Sequence, residues 1–457
     1  MSEIEVKNIV DTMTEIISEN IYPKRKKSII FAILICGISI LIFILLNYIK
    51  KQPTKFLLPR DHELQINYDP LRFEVPGKMK KITKIEENNV EAEINLKAAI
   101  ELKKAGKFDK AYKVFQHSLS LAPNNPRILT EFGLFLEQRD IIKADHFYHR
   151  AISFDPNYER ALERRQMTAA VVQSIDEERL RRLDEKRDLL SQVDARGAAM
   201  KRATKEAYIL HIYHSVGIEG NSMTLAETRS VLETHMAVSG RSVEEHNEIL
   251  GLDSAMKYVN ATLVKSEVLT LNDILEIHKR VLGHVDPIEG GMFRRNQVYV
   301  GSHIPPKPSQ LNMLMDDFLQ WLNSDYTNEL HPVKQAAIAH YKLVHIHPFS
   351  DGNGRTSRLL MNTILMRYGF PPVVIQKQQR LQYYNYLQMA NEGDIRPFIR
   401  FIAECTEKTL DLYLWATSEL PYQVPLLAEK ETIDEHSALI LDGNDENSGS
   451  GGEAIRL

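Results

Sequence analysis

The sequence predicts a mainly all-α protein, and three observations carry that expectation. An internal repeat recurs at a spacing of 33 residues, a Pro-free run rich in Glu, Arg, Leu and Ala follows it, and the apolar spacing beyond has helical period. One β-like piece, "NQVYVGSHIPP", interrupts the pattern and is bounded by Pro305 and Pro306.

The chain has 457 residues, 43% hydrophobic and 26% charged, so it buries a sizeable core. That length suits about two or three domains. A net charge of -4 and a pI near 6.5 give no basic field, and no nucleic-acid partner is expected. Two cysteines, Cys36 and Cys405, exclude a disulfide framework.

Residues 28–49, "SIIFAILICGISILIFILLNYI", carry no charge and span 22 positions. At about 1.5 Å per residue they cover a hydrocarbon core of roughly 30 Å, which predicts a transmembrane helix rather than the shorter apolar core of a signal peptide. Lys24-Arg25-Lys26-Lys27 precede the span and Lys50, Lys51 and Lys55 follow it, so the positive-inside rule narrowly favours a cytoplasmic 1–27 and a type II topology. Asn260-Ala261-Thr262 is then a glycosylation sequon on the far side of the membrane.

A linker over 50–90 leads to the repeats. "GKFDKAYKVFQHSLSLAPNNP" resembles "DIIKADHFYHRAISFDPNYER": Ala111 matches Ala144, Phe115 Tyr148, Ser118 Ala151 and Pro123 Pro156, each 33 apart. The period is close to the roughly 34 residues of tetratricopeptide (TPR) repeats, and two are expected over 91–158. Such repeats grip a protein or position a neighbouring domain. The charged run over 159–203 predicts one long linker helix with a solvated face, a rigid arm. Residues 204–420 form the main helical domain, and the acidic, Gly/Ser-rich tail over 421–457 is expected to be disordered.

The chemistry concentrates in "HPFSDGNGRTSR", residues 347–358. Pro332 opens a helix that points at this string, Asp351-Gly352-Asn353-Gly354 is turn chemistry, and a second helix runs on to Gly369. A Gly-rich turn feeding a helix N-terminus offers free backbone N–H groups and the positive end of the helix dipole to one point, which suits phosphate. Arg355 and Arg358 lie on one helix face and can fork onto phosphate oxygens. Asp351 beside phosphates calls for a bridging Mg²⁺. His347 has the pKa range to take a proton from an incoming hydroxyl. Together these roles describe nucleotidyl transfer.

The string fits in full the H-x-F-x-[DE]-G-N-G-R-x-x-R pattern and resembles the Fic family at His347, Phe349, Asp351, Gly352, Asn353, Gly354, Arg355 and Arg358. The resemblance implies a helical domain with a small β-hairpin flap and transfer of AMP from ATP to a hydroxyl of a target protein. It implies that His347 is the general base, that Asp351 holds Mg²⁺ (or Mn²⁺), and that Gly352 to Gly354 with Arg355 bind the α- and β-phosphates. Arg358 reaches the γ-phosphate, and Thr356 and Ser357 join the ATP-binding set. Upstream, "HSVGIEGN" fits the family's inhibitory pattern at Ser215, Glu219 and Gly220, which implies that Glu219 pairs with Arg358 and holds transfer off. The piece from Val298 resembles the family's flap, with Val300, Gly301, Ser302 and His303 bordering the nucleotide. "QYYNYLQMANEGD" resembles its adenine-side segment at Tyr383, Tyr384 and Asn391.

An anchor, two repeats, a helical arm and an inhibitory glutamate resemble the animal branch that resides in the ER membrane. That branch adds AMP to the lumenal Hsp70 chaperone BiP and removes it again, with Glu219 then catalytic beside His347. A homodimer through the Fic domain and a place in the unfolded protein response are implied with it. A tethered adaptor with a dead Fic scaffold would require a lost catalytic group, and none is lost. Another donor, such as UTP or a phosphocholine carrier, stays open.

Overall fold

Repeated small and aromatic residues build the first part of the chain in a computed structural model, which describes residues 85–418. The chain divides into two units, Met1–Gln65 and Ile66–Leu457, and the described residues all belong to the second. The expected cytoplasmic segment, membrane span, most of the first linker and the tail lie outside the described residues. Among the described residues no helix is long and apolar enough to cross a membrane.

Helix α1 (Ile85–Lys104) packs on α2 (Phe108–Leu121), and α3 (Pro126–Leu136) packs on α4 (Ile141–Phe154). Gly106, at φ 73°, turns the first pair in a conformation that glycine adopts without steric cost. The matched residues Ala111 and Ala144, Phe115 and Tyr148, and Ser118 and Ala151 are all fully buried. Phe115 stacks on Phe132 with centroids 5.4 Å apart, and a Cβ on Gly133 would collide with the Tyr148 ring. Aromatic bulk is thus accommodated opposite small residues, which lets the helices approach.

Helix α5 (Glu159–Ser191) has 33 residues and is about 50 Å long. It ends earlier than the single helix expected over 159–203. Asp194 accepts from the Arg196 N–H (2.9 Å) with its side chain and from the Gly197 N–H (3.0 Å) with its carbonyl, a turn that competes with helix. The expected rigid arm is packed along one face. Leu180, Leu183 and Leu190 are buried against the main domain, and Asp176 takes a two-pronged bond from Arg400 at 2.7 Å on each prong.

Helix α6 (Ala198–Ile218) follows, then α7 (Leu225–Thr234), α8 (Val243–Ala261) and α9 (Leu271–Leu282). The last three each start at a Thr or Ser capping box: Thr224 with Glu227, Ser242 with Glu245, Thr270 with Asp273. After α10 (Leu311–Leu322) and the short α11 (Asp325–Asn328) come α12 (Pro332–Ile346), α13 (Asn353–Arg367), α14 (Arg380–Asn391) and α15 (Arg396–Thr417). Every residue of α13 from Arg355 to Leu365 is buried, with α6, α8, α9 and α12 packed around it. The helix that carries the phosphate-type loop is therefore the central one, and surrounding side chains hold it on all sides.

The expected β-hairpin is reduced to one antiparallel bridge, in which the Val300 N–H donates to His303 O (3.0 Å) and the His303 N–H to Val300 O (2.9 Å). No strand is present among the described residues. Pro305, opposite Val298 in that register, has no N–H to donate and its carbonyl accepts from Gln297 Nε2 instead, so the ladder does not extend.

Candidate active site

His347 ends α12 in the left-handed region, at φ 51° and ψ 59°. A non-glycine residue there is strained, and the packing around it must hold the conformation. The His347 Nδ1–H donates to Val344 O (3.2 Å), leaving Nε2 as the atom that accepts a proton. Burial pushes the imidazole down to about 4, the Val344 carbonyl pulls it up, and Arg294 adds to the downward push. The ring is therefore neutral at pH 7.

Two side chains shape the loop after His347. Asn353 accepts from the Phe349 N–H (3.0 Å) and donates to Phe349 O (2.9 Å), so one amide closes the turn from inside. Phe349 is fully buried and stacks on the His278 ring, with centroids 3.6 Å apart and planes 7° apart. The same ring donates from Nε2 to Asp351 O (3.0 Å) and accepts the Gly291 N–H at Nδ1 (2.9 Å). Burial pushes His278 down to about 4, which fits this neutral tautomer.

Gly352, at φ 72°, starts α13 with no side chain capping the helix. The Thr356 N–H bonds to Gly352 O (2.9 Å), so the open first-turn donors are those of Asn353, Gly354 and Arg355. Thr356 and Ser357 are fully buried and contribute no side chain to the open face of the site. Both side chains lie beneath the loop. Arg355 donates to Asp351 Oδ2 (2.7 Å), and its Nη1 lies 3.7 Å from Glu248 Oε1. Glu248 also accepts from Asn221 Nδ2 (2.8 Å), joining α8 to the turn after Glu219.

Among the described residues no cluster of three or more His, Cys, Asp or Glu could hold a metal ion. The Asp351 carboxylate fits a different kind of site. It is 56% exposed beside the open end of α13, and Mg²⁺ is commonly held by one or two carboxylates together with substrate phosphates. Mn²⁺ asks for the same oxygen donors.

Arg358 is 2% exposed and makes three bonds to one neighbouring helix end. Its Nε donates to Ser215 Oγ (2.8 Å), and its Nη2 donates to Ser215 O (2.8 Å) and to Glu219 Oε1 (2.6 Å). Nη1 is buried with no partner. Burial pulls the guanidinium pKa down, and the Glu219 carboxylate more than offsets it, leaving the pKa raised. Gly220, at φ 111°, turns the chain away just after Glu219. Ser215, Glu219, Gly220 and Arg358 thus come together as the sequence expects.

The adenine-side residues divide. Tyr384 is 37% exposed beneath Arg380, whose Cζ lies 5.6 Å from the ring centroid. Tyr383 is 1% exposed, its hydroxyl is 3.0 Å from His340 Nε2, and it packs on Phe398 and Phe401. The Tyr pair on this helix thus sends one ring into the core and leaves the other partly open. Asn391 Oδ1 lies 2.9 Å from His345 Nδ1, and the His345 carbonyl accepts from His303 Nε2 (2.9 Å). Ser302 Oγ donates to Gln388 (3.0 Å). Asn391, His303 and Ser302 therefore tie the flap to α12 and α14, while Val300 and Gly301 form its tip.

Sequence reasoning missed His278, Arg294 and Glu248. His278 sits among the apolar residues Ile274, Ile277, Val281 and Leu282 of α9, and a polar ring on an apolar stripe was the available signal.

The Fic/DOC family pattern matches residues 268–365, which include the loop and its supporting α9. The protein adenylyltransferase Fic of Aedes aegypti is 64% identical over 378 residues, covering 81% of this chain and 76% of the relative. The chain belongs to the Fic/DOC family. The Drosophila mojavensis protein of the same name is 64% identical over 354 residues, 77% of this chain and 70% of the relative. Among solved structures, Fic-1 from C. elegans is 40% identical with a TM-score of 0.65, covering 73% of this chain and 98% of that one. As a Fic/DOC protein of the animal type, this chain departs from the family pattern at no motif position.

Proposed function

We propose that this chain is a protein adenylyltransferase that moves AMP from ATP to a Ser or Thr hydroxyl of a target protein. The observation that carries the reading is the placement of a neutral His347, with Nε2 free of hydrogen bonds in its own loop, just before the open N-terminus of α13. The names of the insect relatives support it.

In transfer, His347 Nε2 takes the proton of the target hydroxyl. The hydroxyl oxygen bonds to the α-phosphorus, the bond from that phosphorus to the bridging oxygen breaks, and pyrophosphate leaves with the electron pair. The first-turn N–H groups and Arg355 hold the phosphates against the dipole of α13. A divalent cation held at Asp351 would supply charge neutralisation there.

The second part of the reading is regulation. Glu219 occupies the guanidinium that the terminal phosphate of ATP would need. A charge-assisted pair contributes about 1.5–3 kcal/mol, roughly a 10- to 100-fold effect. In the reverse direction the Glu219 carboxylate accepts a proton from water, the water oxygen attacks the phosphorus of the AMP-modified side chain, and the phosphorus–oxygen bond to the target breaks. The proton that Glu219 draws from water is relayed through His347 Nε2 to the leaving oxygen, and AMP is released.

The reading extends to place. We propose an ER-membrane protein of type II topology with a lumenal catalytic domain, TPR repeats, and a homodimeric Fic domain. The ER Hsp70 chaperone BiP is its target. The uncharged run over 28–49 and the sequon at Asn260 support this, and Asn260 is exposed near the end of α8.

The deciding experiment incubates the full chain bearing Glu219→Gly with labelled ATP, UTP and CDP-choline and with purified BiP. Label from ATP alone, located by mass spectrometry on a Ser or Thr, is expected. Label from another donor, or none on any protein, overturns the reading.

A further inference from the structure

Between α9 and α10 the chain leaves the helical body, forms the Val300–His303 bridge and returns, and one side chain closes this excursion at its base. Arg294 is 3% exposed and has no carboxylate in any ion pair among the described residues. Its three kinds of N–H go to three carbonyls instead. Nη1 donates to Asn296 O (2.9 Å) on the outgoing limb, Nη2 to Pro306 O (2.5 Å) on the returning limb, and Nε to His347 O (2.7 Å). The Arg294 backbone N–H donates to Pro348 O (2.9 Å). Gln297 adds a second clasp, donating to Pro305 O (2.8 Å) and Val298 O (3.1 Å).

A buried guanidinium without a carboxylate is costly to desolvate, so the fold keeps it only where several acceptors satisfy it. Here the acceptors belong to both limbs of the flap and to the candidate base. His347 sits in the left-handed region, a conformation its surroundings must impose, and Arg294 grips its carbonyl directly.

We infer that Arg294 is a positioning residue that sets the flap, whose limbs expose Tyr299 and Ile304, in register with His347, so that an extended target segment laid along the flap delivers its hydroxyl to Nε2. The inference rests on the transfer reading above and assigns a role outside the nucleotide-binding loop. A lysine cannot substitute. Its single ammonium lacks the planar fork that reaches three carbonyls in three directions, whereas the two residues are alike in charge and close in length.

The test uses the full chain bearing Glu219→Gly, compared with the same chain carrying Arg294→Lys or Gln297→Ala. Three quantities are read: amide exchange over 296–306, ATP affinity, and KM against kcat for the chaperone target. For Arg294→Lys, exchange in the flap rises and target KM rises, each roughly ten- to thirtyfold as loss of two hydrogen bonds implies, while ATP affinity, which rests mainly on the open end of α13, falls less than about threefold. Gln297→Ala, which removes a clasp nearer the surface, moves the same two readouts in the same direction by about threefold. Unchanged target KM in both variants overturns the inference. So does joint loss of ATP binding and folding in Arg294→Lys with no effect of Gln297→Ala, since that pattern marks a purely structural arginine. If the parent chain modifies no target at all, the transfer reading fails instead, and exchange alone then decides whether Arg294 holds the flap.

Discussion

The Glu219 carboxylate lies directly against the Cα of Gly354, with no room between them for a methyl group. A Cβ on Gly354 would collide with Glu219 Oε1 and stand 3.0 Å from Arg358 Nη1. Gly354 has helical backbone angles, so alanine there meets a clash and no backbone strain. Gly354→Ala is expected to cost about 1–3 kcal/mol, because the buried ion pair must move. In a Glu219→Gly chain the same substitution should be neutral or slightly stabilising, since helical Ala is favoured over Gly by up to about 1 kcal/mol. Thermal melts of the four proteins form a double-mutant cycle. Additive effects would mean that the two residues do not compete for space.

Glu219→Gly should raise AMP transfer roughly 10- to 100-fold and abolish AMP removal, because one carboxylate both blocks Arg358 and activates water. His347→Ala should lower both by about 10²- to 10⁴-fold while ATP binding persists. Unmodified and AMP-modified chaperone are the two substrates to assay. Removal at wild-type rate by Glu219→Gly would show that the glutamate is a latch only.

Legibility followed the range of each interaction. The helix, turn and helix around residues 347–358 were readable because their signals sit within one short stretch, and the pairing of Glu219 with Arg358 because both ends lie in motifs. Arg294 was not readable. It adjoins Arg295 in "MFRRNQ", and nothing local says which arginine turns inward to meet a carbonyl 53 residues away. His278 reaches Asp351 across 73 residues, so its role exists only once α9 packs on α13. The burial of Tyr383 beside the exposed Tyr384 was not readable, because aromatic character does not say which face of α14 is buried. The end of α5 at Ser191 depended on an Asp194 side-chain turn competing with a sequence of strong helix formers.

Acid should weaken the fold at a definite pH. Burial pushes His211 and His214 down to about 4 and drives His340 well below its ordinary 6.5. The unfolded chain takes these protons near 6.5 and the folded chain only near 4 or lower. Stability is therefore fully present above pH 6.5 and is lost as pH falls toward 4. Each ring accounts for up to about 3 kcal/mol. Melting temperature should be flat from pH 7 to 8 and drop steeply between 6.5 and 4.5, and His211→Gln, if folded, should flatten that drop. A flat profile down to pH 4.5 would refute neutral buried rings.

Asn260→Gln tests the proposed topology. Endoglycosidase treatment of the full-length chain expressed in animal cells should increase gel mobility, and the substitution should abolish the shift. A catalytic domain digested by protease in intact microsomes would reverse the orientation.

Asn353 separates loop shape from loop charge. Its amide satisfies the buried N–H and C=O of Phe349, so Asn353→Ala leaves both unpaired at about 1–3 kcal/mol each. Asn353→Asp keeps the bond from the Phe349 N–H and adds a negative charge at the N-terminus of α13, which the helix dipole favours. It also sets a carboxylate oxygen against the Phe349 carbonyl. The aspartate chain should therefore melt between wild type and the alanine chain. ATP binding should order differently. A carboxylate in the first turn repels the phosphates that the same N–H groups would hold, so the folded aspartate chain should bind ATP at least tenfold more weakly than wild type, less so at high salt. Wild-type ATP affinity in Asn353→Asp would mean that the open end of α13 does not face the phosphates, and the assignment of the loop would fall with it.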